Sequence, residues 1–175
     1  MGMKRRFEQL VDQHGSRLYQ LARLMLGRDD EAEDVAQETL VKLWRNVESL
    51  HAGQELPWLI TCTRNACLDI LRGRTRTRGL LQLVASEHKA LGPGTDAGPG
   101  DEMERGQRTR DLRAALADMP EPARSLLILR DIQELDVATV AGTLELSENQ
   151  VKVYTFRARR QLRHRLEEES DAQVA

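Results

Sequence analysis

Asn149, Val153, Phe156, Arg157 and Arg160 recur at helical spacing, and their side chains are types that read DNA. An amide can pair with adenine, a guanidinium can grip guanine, and an apolar tip can rest on a thymine methyl. Phe156 also suits packing beneath a preceding helix. Val151, Thr155, Ala158 and Leu162 fall on the other side of the helical wheel, which leaves one face for a partner helix and one for base edges. A second set has the opposite charge. Asp34, Gln37, Glu38, Val41 and Arg45 share an open face, whereas Ala36, Leu40, Leu43 and Val47 fall together across from them. The four histidines, His14, His51, His88 and His164, are scattered, and none joins the carboxylates in a metal-ligand spacing. No catalytic residue, metal ligand, cofactor or small-molecule substrate is read from these patterns.

Both sets require helices to hold them. Phe7, Leu10, Val11, Leu18, Leu21, Ala22 and Met25 predict a first helix, with Gly15 as a candidate break and Gly27 as its end. Asp29, Asp30, Glu31 and Glu33 then open the acidic helix, with Asp30 and Glu33 spaced like a capping box and the charges favoured by the helix dipole. Pro57 is expected as the first residue of a mostly buried helix, "PWLITCTRNACLDILRGR", with Trp58, Thr61, Asn65 and Arg72 on one stripe. From Gly73 to about Arg108 the periodicity gives way to linker composition, including "GPGTDAGPGDE". Beyond it, Asp136 can cap a short helix with Val137, Val140, Ala141 and Leu144 on its apolar face. "LELS" makes a tight turn with Leu146 inward, and Ser147 with Gln150 forms a capping box that opens the helix carrying Asn149 to Arg160. This is a helix-turn-helix pattern. The expected architecture is all-α, in two small domains at 1–74 and 109–170, joined by a flexible linker at 75–108.

Charge is segregated. The 175 residues carry a net charge of −2, a weak credential for a plain nucleic-acid binder, because phosphate neutralisation supplies most of such affinity. Yet residues 149–166 hold six Lys or Arg and no acid, and residues 29–41 hold six acids and no base. Different faces are therefore expected to meet different partners. Cys62 and Cys67, five apart on one helix, suit reduced core thiols. No signal peptide and no stretch long enough to span a membrane is present in the sequence, so a cytoplasmic protein is expected.

Taken in order, these segments resemble the extracytoplasmic-function (ECF) group of bacterial RNA polymerase sigma factors of the sigma-70 family. "RLYQLARLMLGRDDEAEDVAQETLVKLW" is similar to conserved regions 2.1 and 2.2, and "WLITCTRNACLDILRGR" to regions 2.3 and 2.4. "ALADMPEPARSLLILRD", with "VATVAGTLELSENQVKVYTFRARRQL", is similar to region 4. The resemblance implies a region 2 helical bundle and a region 4 helix-turn-helix. It implies no enzyme, but a factor that gives core polymerase its promoter specificity in transcription initiation. Asp34, Gln37 and Glu38, with Leu40 and Trp44 alongside, would dock on the β′ clamp helices; Trp44 falls toward the apolar side of the wheel, where core packing is its expected main role. The β flap is a further implied contact. Trp58, Asn65, Arg72, Arg74 and Arg76 would meet the −10 element, with Asn65 at an unpaired base and the arginines along phosphates; Trp58 equally suits a core aromatic. Lys152, Val153 and Arg157 would read the −35 element, in company with Asn149, Phe156 and Arg160. An anti-sigma factor, often membrane-anchored, would cover the same faces.

The chain departs from the family pattern in places. The loop before Pro57, "HAGQELPWL", is short and lacks the usual aromatic near the flipped −10 base. Asn149 and Gln150 replace small residues, Val153 replaces a frequent Ser, and Glu145 replaces the common Gly of the turn. These changes imply an unusual −35 sequence. A different class of function is an autonomous helix-turn-helix regulator that binds operators as a dimer, and the acidic stripe distinguishes the two, since such a regulator does not need it.

Overall fold

The structure is a computed structural model that describes residues 2–84 and 102–174, with side chains described over 2–79 and 106–168. The described residues form seven α-helices and one π-helical turn, with no strand among them. The chain separates into two compact units, Met1–Gly94 and Thr95–Ala175. The Gly- and Pro-rich stretch read as linker lies largely outside the described residues, as does His88.

In the first unit, α1 (Met3–Leu26), α2 (Asp29–Asn46) and α3 (Glu55–Val84) pack pairwise into a three-helix bundle. Helix α1 is continuous through Gly15, where a break was a candidate. One interior glycine costs a helix about 1 kcal/mol relative to alanine, and the burial of Leu10, Leu18, Leu21, Ala22, Met25 and Leu26 outweighs it. Gly27 ends the helix in the left-handed conformation, at φ 72°, and its N–H donates to Arg23 O. Helix α2 starts at Asp29, and Arg28 at its N-cap makes no side-chain cap bond. The capping box expected of Asp30 and Glu33 is absent because the early acids are engaged elsewhere: Arg23 pairs with Asp29, and Arg28 with Asp30 at 2.9 Å. Their charges still sit in the first turn, at the positive end of the helix dipole.

Helix α3 begins at Glu55, so Pro57 is its third residue rather than its first. The ring is tolerated there because first-turn N–H groups have no partner within the helix. The helix also continues ten residues past Arg74, the boundary expected from sequence. Arginine is a good helix former, and the intervening threonines return their hydroxyls to the backbone, Thr75 to Leu71 O and Thr77 to Gly73 O, both at 3.1 Å. Buried Leu43, Val47, Leu59, Ile60 and Cys67 complete the core, with the Thr63 hydroxyl donating to Leu59 O and lying 3.3 Å from that of Thr39, between α2 and α3.

In the second unit, α4 (Glu102–Ala117), α5 (Ala123–Leu127), the π turn Ile128–Ile132 and α6 (Val137–Leu144) gather on α7 (Glu148–Val174). Met119, Leu126, Leu127, Ile128, Leu129, Val140 and Val151 are fully or almost fully buried. The Gln133 N–H reaches back five residues to Ile128 O at 2.8 Å, the bond that widens the turn. From this turn Asp131 takes two bonds from Arg159 of α7, at 2.8 and 2.5 Å. The bidentate pair fixes α7 against the rest of the unit.

Candidate functional site

The motif around α6 and α7 forms as its local chemistry dictates. Thr139 N–H donates to the Asp136 carboxylate at 2.8 Å, and the Thr139 hydroxyl donates to its other oxygen at 2.8 Å. These bonds hold the Asp136 carboxyl below its usual pKa. The turn is made by Glu145 at φ 56° and ψ 41°, and Leu146 N–H returns to Ala141 O. Glutamate here takes the left-handed conformation that glycine takes without penalty. The capping box is reciprocal: Gln150 N–H donates to Ser147 Oγ at 3.1 Å, and Ser147 N–H donates to Gln150 Oε1 at 2.9 Å.

The wheel of α7 divides as its sequence indicates. Val151, Thr155 and Ala158 are buried, while Asn149, Lys152, Val153, Phe156, Arg157 and Arg160 are all exposed. Phe156, for which packing under the preceding helix was the alternative, is 68% exposed and stands in the middle of the outward stripe. From Asn149 to Arg160 the stripe runs about 16 Å along the axis, enough for roughly five base-pair steps. Arg159 stands apart in role, since its guanidinium is held by Asp131, which also raises its pKa. The cations left on the outer face are those suited to phosphate and base contact.

On α2, Asp34, Gln37 and Glu38 are exposed and Leu40 is half-buried, whereas Ala32, Val35, Ala36, Thr39 and Leu43 are buried. Glu38 pairs with Lys42 at 2.8 Å, one turn on, and that hydrogen bond raises the lysine pKa. Trp44 corrects the expectation of core packing. It is 41% exposed, with its ring set edge-on to Phe7 of α1 at 5.1 Å and 85°. Val41, 49% exposed, lies one turn before Arg45. The face therefore combines carboxylates, an amide and an exposed apolar pair, a combination found at protein-binding surfaces. The sequence placed Val41 on the open face, yet nothing local showed that Trp44 would join it, because Trp44 leans on the start of α1 far away in the chain.

The α3 stripe is mixed. Asn65, Arg72 and Arg76 are exposed, Trp58 and Thr61 are half-buried, and Arg72 pairs with Asp69 at 3.0 Å. Trp58 thus neither disappears into the core nor stands fully in solvent. Arg74, expected with the phosphate-binding arginines, is tied within the bundle: it donates to Leu26 O at 3.0 Å and pairs with Glu31. Partial burial is the main cause of its lowered pKa. Cys67 is fully buried, which pushes its thiol up to about 12, and half-buried Cys62 is raised for the same reason. Among the described residues no group of His, Cys, Asp and Glu is placed to hold a metal ion, and no helix is long and apolar enough to cross a membrane.

Arg6 carries no local signal in the sequence. Its guanidinium donates to Val47 O at 2.7 Å, Leu50 O at 2.6 Å and Glu55 at 2.8 Å, partners 41, 44 and 49 residues away.

Comparison with known proteins agrees with these two units. Residues 10–77 match the Sigma-70 region 2 family, and residues 109–162 match the Sigma-70, region 4 family. The ECF sigma factor SigE of Mycolicibacterium smegmatis is 32% identical over 164 residues, covering 94% of this chain and 63% of SigE. SigW of Bacillus subtilis is 26% identical over 165 residues, covering 91% of this chain and 88% of SigW. The sigma factor RpoE of Bartonella quintana, solved in complex with the anti-sigma factor NepR, superposes with a TM-score of 0.70 at 26% identity, covering 92% of this chain and 96% of RpoE. With both conserved regions matched in order over their own helices, the chain belongs to the sigma-70 family of RNA polymerase sigma factors, in its extracytoplasmic-function group.

Proposed function

We propose that this sigma factor docks on core RNA polymerase through the outer face of α2 and reads a two-part promoter, the −10 element through α3 and the −35 element through α7. The observation that carries the reading is the exposure of Asp34, Gln37 and Glu38 beside Val41 and Trp44, on a helix whose opposite face is buried. DNA would repel such a surface, and a basic helical surface such as the β′ clamp helices would attract it. The β flap is a further proposed contact, made by the second unit. Exposed Asn65 suits an unpaired base, Arg72 and Arg76 suit phosphates, and half-buried Trp58 can lend one edge to stacking. On α7, Asn149, Lys152, Val153, Phe156, Arg157 and Arg160 face duplex DNA, with Val153 and Phe156 as candidates for thymine methyls. The loop before α3 would hold the flipped −10 base. The protein makes no covalent change; binding energy from both elements is used to open the duplex.

Control by an anti-sigma factor is supported by the RpoE–NepR complex of a relative. Such a partner would cover the α2 and α7 faces while the factor is idle in the cytoplasm, and a membrane-anchored form would couple release to an external signal. The test is charge reversal. Asp34→Lys with Glu38→Lys is expected to lower affinity for purified core polymerase at least about 100-fold, consistent with like-charge juxtaposition costing several kcal/mol. The helical circular dichroism spectrum should be unchanged. Wild-type affinity in the double variant would refute the assigned face. An autonomous regulator would lose nothing in this assay.

A further inference from the structure

Arg6 lies on α1, outside every face assigned above, and its bonds converge on one short segment. That segment is the loop between α2 and α3, which starts at Val47, the C-cap residue of α2, and ends at Glu55, the first residue of α3. The guanidinium fork bonds the segment near its start, at Val47 O and Leu50 O, and at its end, at the Glu55 carboxylate. The free oxygen of Glu55 accepts from Gly53 N–H at 2.6 Å, and Gly53 takes a positive φ of 86° that ordinary side chains disfavour. Between these ties, His51, Ala52, Gly53 and Gln54 are exposed. The loop has few other supports: Ser49 and Leu50 N–H groups return to Asn46 O, and Gln54 N–H returns to His51 O.

Arg6 and Glu55 are well covered, with side-chain exposures of 29% and 13%. Burial by itself would raise the Glu55 pKa, yet the bonds from Arg6 and Gly53 hold it below the usual carboxylate value. Glu55 is therefore a carboxylate at neutral pH, with both oxygens engaged. Loss of the guanidinium would take this donor from two backbone carbonyls and one carboxylate oxygen at once. No Phe, Tyr or Trp is available in the loop to clamp a base by stacking. Its shape must instead come from a fixed backbone and from the polar tips of His51 and Gln54.

We infer that Arg6 is a positioning residue for promoter recognition, which sets the shape of the 47–55 loop so that its exposed tip discriminates one unpaired base at the entrance to α3. This inference rests on the −10 reading proposed above and adds to it a residue on a different helix that touches no DNA. It makes base preference at one position depend on a bond network at the back of the loop.

The experiment uses the full chain with purified core polymerase on a promoter library randomised across the −10 and −35 elements, with sequencing of the transcripts made. Wild type is expected to enrich one base about tenfold or more at a −10 position. Arg6→Ala and Glu55→Gln should flatten that position to about twofold or less while keeping the −35 preferences and the affinity for core polymerase within about twofold, and Arg6→Lys, with one short cation in place of the fork, should restore part of the preference. Uniform loss of transcription with the preference intact in Arg6→Ala would overturn the inference and reduce Arg6 to a structural support. Should Arg6→Ala fail to fold by circular dichroism, Glu55→Gln and Arg6→Lys carry the same test, and unchanged preference in both overturns it. If wild type itself shows a −35 preference but none across the −10 element, the −10 reading has failed, and this inference with it.

Discussion

Arg74 shows how one residue can be drawn away from the role its neighbours suggest. It sits between Arg72 and Arg76 in a run that looks like a phosphate-binding strip, but its guanidinium reaches back to Leu26 O and Glu31. The bonds close α3 onto the turn between α1 and α2. Because the pair is still partly exposed, at 37% and 26% of the side chains, solvent screening reduces its value. Arg74→Ala is expected to lower unfolding stability by about 1–2 kcal/mol, whereas Arg72→Ala and Arg76→Ala should stay within about 0.5 kcal/mol of wild type. Urea denaturation of the three variants measures this directly. Equal stabilities would return Arg74 to the DNA face. The opposite holds for Phe156 and Trp44, aromatic residues whose types favour a core and which stand 68% and 41% exposed at the two proposed binding surfaces. Their exposure has a cost in water that burial against a partner would offset.

At the scale of elements, helix ends and helix faces follow different rules, and the sequence is informative about them to different degrees. The faces of α2 and α7 were legible because burial follows helical period: Ala36, Leu43 and Val47 are inside, Asp34 and Glu38 outside, and the same division holds for Val151 and Thr155 against Asn149 and Arg157. Caps were legible where both partners are local, as with Ser147 and Gln150 or Asp136 and Thr139. They failed where a nearby cation competes, as when Arg23 and Arg28 occupy the acids at the start of α2. Gly15 illustrates the same competition between local propensity and packing. An added Cβ there would meet only Val11 Cγ1, at the ordinary contact distance of 3.8 Å, so nothing in the fold requires a glycine. Gly15→Ala is expected to stabilise the protein by about 0.5–1 kcal/mol, seen as a higher unfolding midpoint. A lower midpoint would mean that α1 needs its freedom at that point.

At the scale of the whole molecule, an acidic patch on α2 and a basic patch on α7 are hidden in a net charge of only −2. The charge patches, the helix-turn-helix and the ordered family segments were all readable along the chain, because each is built from neighbours in sequence. Long-range ties such as Arg6 to the loop before α3, Arg159 to Asp131 and Trp44 to Phe7 were not, because their partners meet only after the helices pack. Those ties decide which residues of each patch remain available to a partner. They support the proposed division of labour, in which the outer face of α2 answers to the polymerase and α3 and α7 answer to the promoter. Transcription reconstituted in vitro from purified core polymerase, this chain and a randomised promoter library tests that division most directly. The expected result is initiation that depends on the chain, is confined to templates sharing a −10 and a −35 sequence, and is lost when Asp34 and Glu38 are both reversed. Transcripts independent of the chain, or no promoter selected from the library, would contradict it.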